Sequence, residues 1–378
     1  MSDNSTIEWT NTTWNPLRGC ARVSEGCRNC YAEAVAARFS GPGLPYEGLT
    51  TAKGRWTGEV RLVPEKLAEP LRWRKPRMVF VNSMSDLFHD DVPNEYIAAV
   101  FGVMAAARQH AFQVLTKRPE RMRAWFELVA DQALELEALI GETPPAGGGA
   151  ASVCTMFASQ MMANDTRLNP GFRAPWPLPN VWLGVSVENQ AAADKRIPLL
   201  LQCPAAVRWV SAEPLLGPVD FSFNTDTCHC GEHVNHGWDG GHLGVPIVSS
   251  YLIEGIDWVV VGGESGRSAR PCDVSWVRGV VEQCAGAGVP VFVKQLGAVP
   301  LDRNDRGFDA DHHRYVNDDG SDGGPVSGPS AWPEPVDIES TDAYQGAPAR
   351  IVLRDPKGGN PDEWPEDLRV REFPGGAP

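Results

Sequence analysis

One pattern recurs along the chain: a short, β-rich apolar run that stops abruptly at polar or glycine residues. Met78–Val81 leads into Asn82-Ser83-Met84-Ser85-Asp86, and Phe112–Leu115 into Thr116-Lys117-Arg118-Pro119. Val181–Val187 ends at Glu188-Asn189, and Val207–Val210 at Ser211-Ala212-Glu213-Pro214. Ile256–Val261 leads into Gly262-Gly263-Glu264-Ser265-Gly266, and Val289–Val293 into Lys294-Gln295. The runs are nearly continuous rather than alternating, as in strands of a parallel sheet covered on both faces.

Between them lie segments with helical spacing. Asn94–His110 places Ile97, Val100, Phe101 and Met104 on one side, with Asn94 suited to the N-cap. Pro119–Ile140 opens on a first-turn proline and repeats Met122, Phe126 and Val129. Asp273–Gly288 has Asp273 as a cap and ends at Gly286 or Gly288. Strands alternating with helices build right-handed βαβ units. Six or seven of them predict an α/β fold, a partial (β/α) TIM-like barrel with insertions and a C-terminal extension.

The barrel is expected over residues 1–300. Two stretches interrupt it: 141–180, which opens with GETPPAGGGA and shows no clear strand, and 222–250, which holds two cysteines and four histidines. Residues 301–348 read as an acidic flexible segment, and 349–378 as a segment docking on the barrel, with a late strand at Ala349–Leu353.

Composition narrows the class. At 42% hydrophobic and 22% charged, the 378 residues are too apolar for general disorder. No apolar run reaches the roughly 18 residues of a membrane span, and the polar start MSDNSTIEWT lacks a secretion pattern. A cytoplasmic protein without a membrane partner is expected. The net charge of −14 argues against a broad polyanion-binding surface, but −9 of it falls in residues 302–378. The body is near balance, leaving room for a single nucleotide or base in a pocket.

Nine cysteines in a reducing compartment are not expected to pair, and their spacing is the informative feature. Cys20, Cys27 and Cys30 form a C-x6-C-x2-C cluster directly ahead of a helical stretch, Tyr31–Phe39. Three thiolates suit a 4Fe–4S cluster with one open iron. They also suit zinc, although a closed structural zinc site wants a fourth ligand, and the first histidine is His89. Plain burial is the remaining alternative. Cys154, Cys203, Cys272 and Cys284 are scattered and read as small hydrophobes.

The phrase TWNPLRGC…SEGCRNCYAE resembles the phage and prophage three-Cys-motif proteins, a radical S-adenosylmethionine (SAM)-like family distantly similar to spore photoproduct lyase. SMSDLFH, LTKRP, LGVSVEN, SAEPLLGPV, VVGGESG, ARP, VKQLG and KGGNPDEWPEDLRVREFP add to the resemblance, which spans most of the chain. It implies a barrel of the radical SAM type with a 4Fe–4S cluster on Cys20, Cys27 and Cys30. It also implies chemistry supplied by cofactors: an electron from a donor such as flavodoxin or ferredoxin passes through the cluster to SAM. The resulting 5′-deoxyadenosyl radical abstracts hydrogen from a substrate. A nucleobase or nucleotide in phage DNA modification is the substrate implied. A base-repair lyase and a non-enzymatic module stapled by zinc or iron–sulfur are the alternatives.

In a (β/α) barrel the strand C-terminal ends carry the site. That rule selects Lys117, Glu213, Glu264 and Lys294 as catalytic candidates and Ser83, Asp86, Ser186 and Glu188 as cofactor-binding candidates. Tyr31, next to the third cysteine, joins the second group. Polar turns explain any one of these residues as well. Gly262-Gly263-Glu264 and Glu213-Pro214-Leu215 both echo the superfamily's amine-binding phrase, so that role stays open among Asp86, Glu213 and Glu264. Lys117-Arg118 and Lys294 suit an anionic group or an ion pair with a strand-end carboxylate. Arg72-Trp73-Arg74-Lys75-Pro76-Arg77 suits a nucleic-acid backbone or a solvated face. Cys228 and Cys230 with His233, His236 and His242 suit a zinc site or a plain loop. Trp182, Trp209 and Trp258 are expected in the core rather than as stacking platforms.

Overall fold

The computed structural model describes residues 5, 7–140, 148–162, 167, 174–221, 252–302 and 349–375. Seven strands form one parallel sheet: β1 (Thr12–Trp14), β2 (Met78–Val81), β3 (Ala111–Thr116), β4 (Val181–Ser186), β5 (Val207–Ala212), β6 (Trp258–Gly262) and β7 (Val291–Gln295). Each pairs with the next in chain order, and the sheet curls into a half-barrel. The six apolar runs are its β2 to β7. The strand β1, with only three residues, carries too short a pattern to stand out.

Six helices accompany the sheet: α1 (Tyr31–Arg38), α2 (Asn94–Ala106), α3 (Pro119–Ile140), α4 (Gly148–Met161), α5 (Gln190–Leu201) and α6 (Val274–Ala287). In α6 the Asp273 carboxylate accepts the Ser275 N–H at 2.9 Å, and Gly288 ends the helix at φ +67°, where a side chain would be strained. The start of α2 differs from expectation. Pro93 takes the N-cap position, and the Asn94 side chain accepts instead from Arg121 at 2.5 Å. Residues 141–180 hold α4, which packs on α2 at Gly102. A Cβ there would sit 2.3 Å from the Cys154 carbonyl oxygen. Ala151, Cys154 and Ala158 of α4 are buried in the main core.

Side chains alternate across each strand. Outward-facing Val79, Val114, Leu183, Val210, Val259 and Val293 join the helices in the main core. Inward-facing Phe80, Trp182, Trp209, Trp258 and Phe292 form a second cluster with Trp9, from the segment ahead of β1. Trp209 and Trp258 lie 5.4 Å apart and Trp9 and Trp209 5.3 Å apart, as expected of core residues. Gly184 leaves room for this layer, because a Cβ would come within 2.5 Å of the Trp209 ring.

The open side of the sheet is covered by the chain's end. Val370 accepts the Val293 N–H at 2.9 Å and Glu372 donates to Val291 at 2.9 Å, extending the sheet past β7. Phe373 stacks on Trp258 at 5.5 Å, and Arg371 reaches Glu8 at 2.9 Å. Ala349–Arg350 pairs antiparallel with Pro300–Asp302. The segment thereby bridges β7 to the residues ahead of β1. No helix among the described residues is long and apolar enough to cross a membrane.

Candidate functional site

A cavity of about 260 Å³ opens at the C-terminal ends of the strands. Its floor is the inner aromatic layer, with Trp9, Phe80 and Leu115 exposed to it. Cys20, Cys27 and Cys30 form one wall, all three unpaired as disulfides. The loop that carries them leaves β1 through Leu17–Arg18, which pairs with Arg61–Leu62, and ends where Cys30 starts α1.

The structure brings most of the sequence-selected residues to this one space. Tyr31, Ser83, Asp86, Lys117, Ser186, Glu213, Glu264 and Lys294 all line it. Glu188 lies just behind the cysteine loop, and a Cβ on Gly26 would meet its carboxyl carbon at 3.1 Å. The Arg72–Arg77 stretch precedes β2 and so lies at the opposite end of the strands, where Arg77 stacks over Trp73 at 5.1 Å. Cys228, Cys230, His233, His236 and His242 lie outside the described residues. So does the acidic segment from residue 303 to 348.

Within the cavity the carboxylates divide by partner. Asp86 is bound by Arg118 at 3.0 Å, the Thr116 hydroxyl at 2.8 Å and the Phe88 N–H at 3.0 Å. Glu188 takes a bidentate pair from Arg196 at 2.7 and 3.2 Å. Burial pushes its carboxyl up, but the hydrogen bonds of Arg196 and Ser24 outweigh that and hold it below the usual carboxylate range. Glu264 receives Arg270 at 2.8 and 3.0 Å and the Asn29 amide at 2.9 Å. It is held low in the same way, with burial again outweighed. Glu213 pairs with Lys294 at 3.1 Å.

Three of these pairs also reach the cysteine loop. Arg118 donates to the Cys20 sulfur at 3.9 Å and the Ala21 carbonyl at 3.1 Å. Arg270 donates to the Glu25 carbonyl at 3.0 Å. The Glu188 carboxyl group lies against Gly26 of the loop. A fourth tie is Arg22 to Glu33 of α1, with Arg22 Nε donating at 2.9 Å. Burial pushes the Cys20 thiol up to about 12, with Asp86 adding to the rise and Arg118 opposing it. Cys30 is raised for the same reason, burial.

Some polar groups at the cavity have no hydrogen-bond partner among the described residues, the Trp9 indole N–H included. The Lys117 ammonium makes no ion pair, and the Asn82 amide makes no hydrogen bond although the residue is only 3% exposed. Asn82 stands at φ +59°, a left-handed conformation that asparagine tolerates better than most residues. Tyr31 sits at the mouth, 51% exposed, its hydroxyl donating to the Ser83 carbonyl at 2.6 Å. Sequence reasoning missed Asn29, Asn82, Arg196 and Arg270. Arg270 stands in the ARP phrase, but its carboxylate partner is set by the fold.

Among the described residues, no group of three or more His, Cys, Asp and Glu side chains is arranged to hold a metal ion. A tetrahedral zinc needs four ligands converging to about 2.3 Å of one point. A 4Fe–4S cluster takes its thiolates on separate irons rather than at one point, and what the structure shows of Cys20, Cys27 and Cys30 is that they line the same cavity. No curated protein and no solved structure matches the chain. The model of one family, described as "Protein of unknown function (DUF5131)", matches residues 4–322, well over half the chain, and the protein belongs to that family.

Proposed function

We propose that this protein is a radical-SAM-type enzyme in which Cys20, Cys27 and Cys30 hold a 4Fe–4S cluster. The observation that carries the reading is the shared wall: three unpaired thiols from one loop line the same cavity as the strand-end polar residues. When bound, the cluster and SAM supply one-electron chemistry and a 5′-deoxyadenosyl radical able to take a hydrogen atom from a substrate.

The chain's own residues then bind and orient. Lys117, unpaired beside the cysteines, suits the carboxylate or phosphate of a ligand. Glu213 and Lys294, both lining the cavity, form an ion pair that can orient a bound ligand. Ser83, Ser186 and Tyr31 contribute polar edges, while Trp9 and Phe80 keep the floor dry. Asp86 and Glu264 support the loop through Arg118 and Arg270, and Glu188 lies against it at Gly26. An aromatic floor under a polar rim favours a planar polar substrate, and the phage-family resemblance makes that a nucleobase or nucleotide in DNA modification. Flavodoxin or ferredoxin is the electron donor this reading calls for.

The test is anaerobic reconstitution with iron and sulfide, followed by reductant and SAM. The expected result is acid-labile sulfide in the protein and SAM-dependent release of 5′-deoxyadenosine. A loaded, reduced protein that releases none overturns the reading. Mass analysis of phage DNA and of free nucleotides incubated with the protein then separates polymer from monomer substrates.

A further inference from the structure

Among the described residues, Arg118 is the one arginine hydrogen-bonded to a sulfur of the cysteine loop. It is 7% exposed and leaves the end of β3 on a fixed mount. Asp86 binds it at 3.0 Å, and that carboxylate is itself fixed by the Thr116 hydroxyl at 2.8 Å, the Phe88 N–H at 3.0 Å and the Lys117 N–H at 3.2 Å. From this mount one guanidinium nitrogen meets the Cys20 sulfur at 3.9 Å and the other the Ala21 carbonyl at 3.1 Å.

The other two thiols have different surroundings. The Cys27 sulfur meets the Ser24 hydroxyl at 3.9 Å, and Cys30 starts α1. Arg270 reaches the loop at the Glu25 carbonyl, and Arg196 holds Glu188, which lies against Gly26; neither meets a sulfur. Among the described residues, the Cys20 sulfur is thus the one that receives a guanidinium hydrogen bond, from an arginine whose counter-charge Asp86 stands beside it.

We propose that Arg118 is a positioning residue for Cys20: mounted on Asp86, it fixes that sulfur and makes a group bound by the three cysteines easier to reduce. The inference rests on the iron–sulfur reading above. An electron added beside a cation is stabilised, more strongly where bulk water is excluded. Cluster potentials respond to net charge and to hydrogen bonds on the sulfurs. Because Asp86 and Arg118 carry opposite charges, removing either one alone moves the local charge in opposite directions.

The experiment uses the full chain, reconstituted anaerobically, with iron and sulfide content measured first and the midpoint potential then taken by EPR-monitored titration. Arg118→Gln is expected to titrate at a lower potential than the wild type and Asp86→Asn at a higher one. Arg118→Lys keeps the charge but not the two-pronged contact, and is expected between wild type and Arg118→Gln. Arg278→Gln serves as a comparison, since its ion pair with the buried Asp302 lies away from the cavity, and is expected to leave the potential in place. Should Arg118→Gln take up no iron, the rise in Asp86→Asn and a value for Arg118→Lys below the wild type carry the test. Coincident potentials in wild type, Asp86→Asn and Arg118→Lys overturn the proposal. A wild-type chain that takes up no acid-labile sulfide overturns the iron–sulfur reading, and this inference with it.

Discussion

Lys294, near the end of β7, reaches across β6 to Glu213 beyond the end of β5, its ammonium 3.1 Å from one carboxylate oxygen and 3.4 Å from the other. The pair passes over Gly262, the last residue of β6. A Cβ at that position would lie 2.8 Å from Glu213 Oε1 and 2.9 Å from the Gln295 carbonyl oxygen.

Gly262→Ala is therefore expected to push the pair apart and strain the β6–β7 contact. Overpacking of this kind costs about 1–3 kcal/mol. Urea unfolding of the variant should show a lower midpoint with an unchanged slope. A midpoint equal to the wild type would mean that the site relaxes freely, and that the glycine is not needed for the crossing.

The cysteines should separate into two classes. Cys20→Ser, Cys27→Ser and Cys30→Ser are each expected to abolish loading of iron and acid-labile sulfide. Cys272→Ala and Cys284→Ala should load as the wild type does, since both thiols are buried in the core and burial pushes each up to about 12. Iron and sulfide analysis checks this. Equal losses in both classes would point to a folding effect rather than ligation.

Glu264 is held below its ordinary value of 4.5, burial being outweighed by Arg270 and Asn29. A carboxyl lowered in the folded state stabilises it above the unfolded value, and that contribution fades as pH falls through the folded one. The stability difference between wild type and Glu264→Gln should thus be full at neutral pH and shrink below about 4.5. Urea titrations across this range measure it. A difference that grew toward acid pH would contradict the pairing.

Trp364 is fully buried, and its indole N–H donates to the Gly358 carbonyl at 3.0 Å. Trp364→Ala should cost about 3–5 kcal/mol, as large core truncations do. Because the same segment carries Arg371 and Phe373, tryptophan fluorescence of Trp258 and its neighbours should also change. A variant as stable as the wild type would show that the segment is an ornament on the half-barrel.

Much of the architecture was legible because it is written locally. The runs Met78–Val81 and Val181–Val187 announce buried parallel strands by their unbroken apolar content, and Asp273 with Gly288 brackets α6 by capping chemistry. The cysteine spacing and the polar strand ends are equally local, and the fold gathers nearly all of those residues around one cavity. The short β1 and the helix within 141–180 were not legible. Three residues carry no periodicity, and the small side chains of α4 matter only because they let it approach Gly102.

The sequence by itself determined the βα alternation, the three-thiol loop and the polar residues that end each strand. Only the tertiary structure decided which of those residues are already taken. Asn29 and Glu264 are 235 positions apart, and Arg371 and Glu8 363. No local pattern encodes such partners, because an ion pair depends on distance in space and on the water excluded around it. Curling the sheet spent Asp86, Glu188 and Glu264 on Arg118, Arg196 and Arg270 and left the Lys117 ammonium without an ion pair among the described residues.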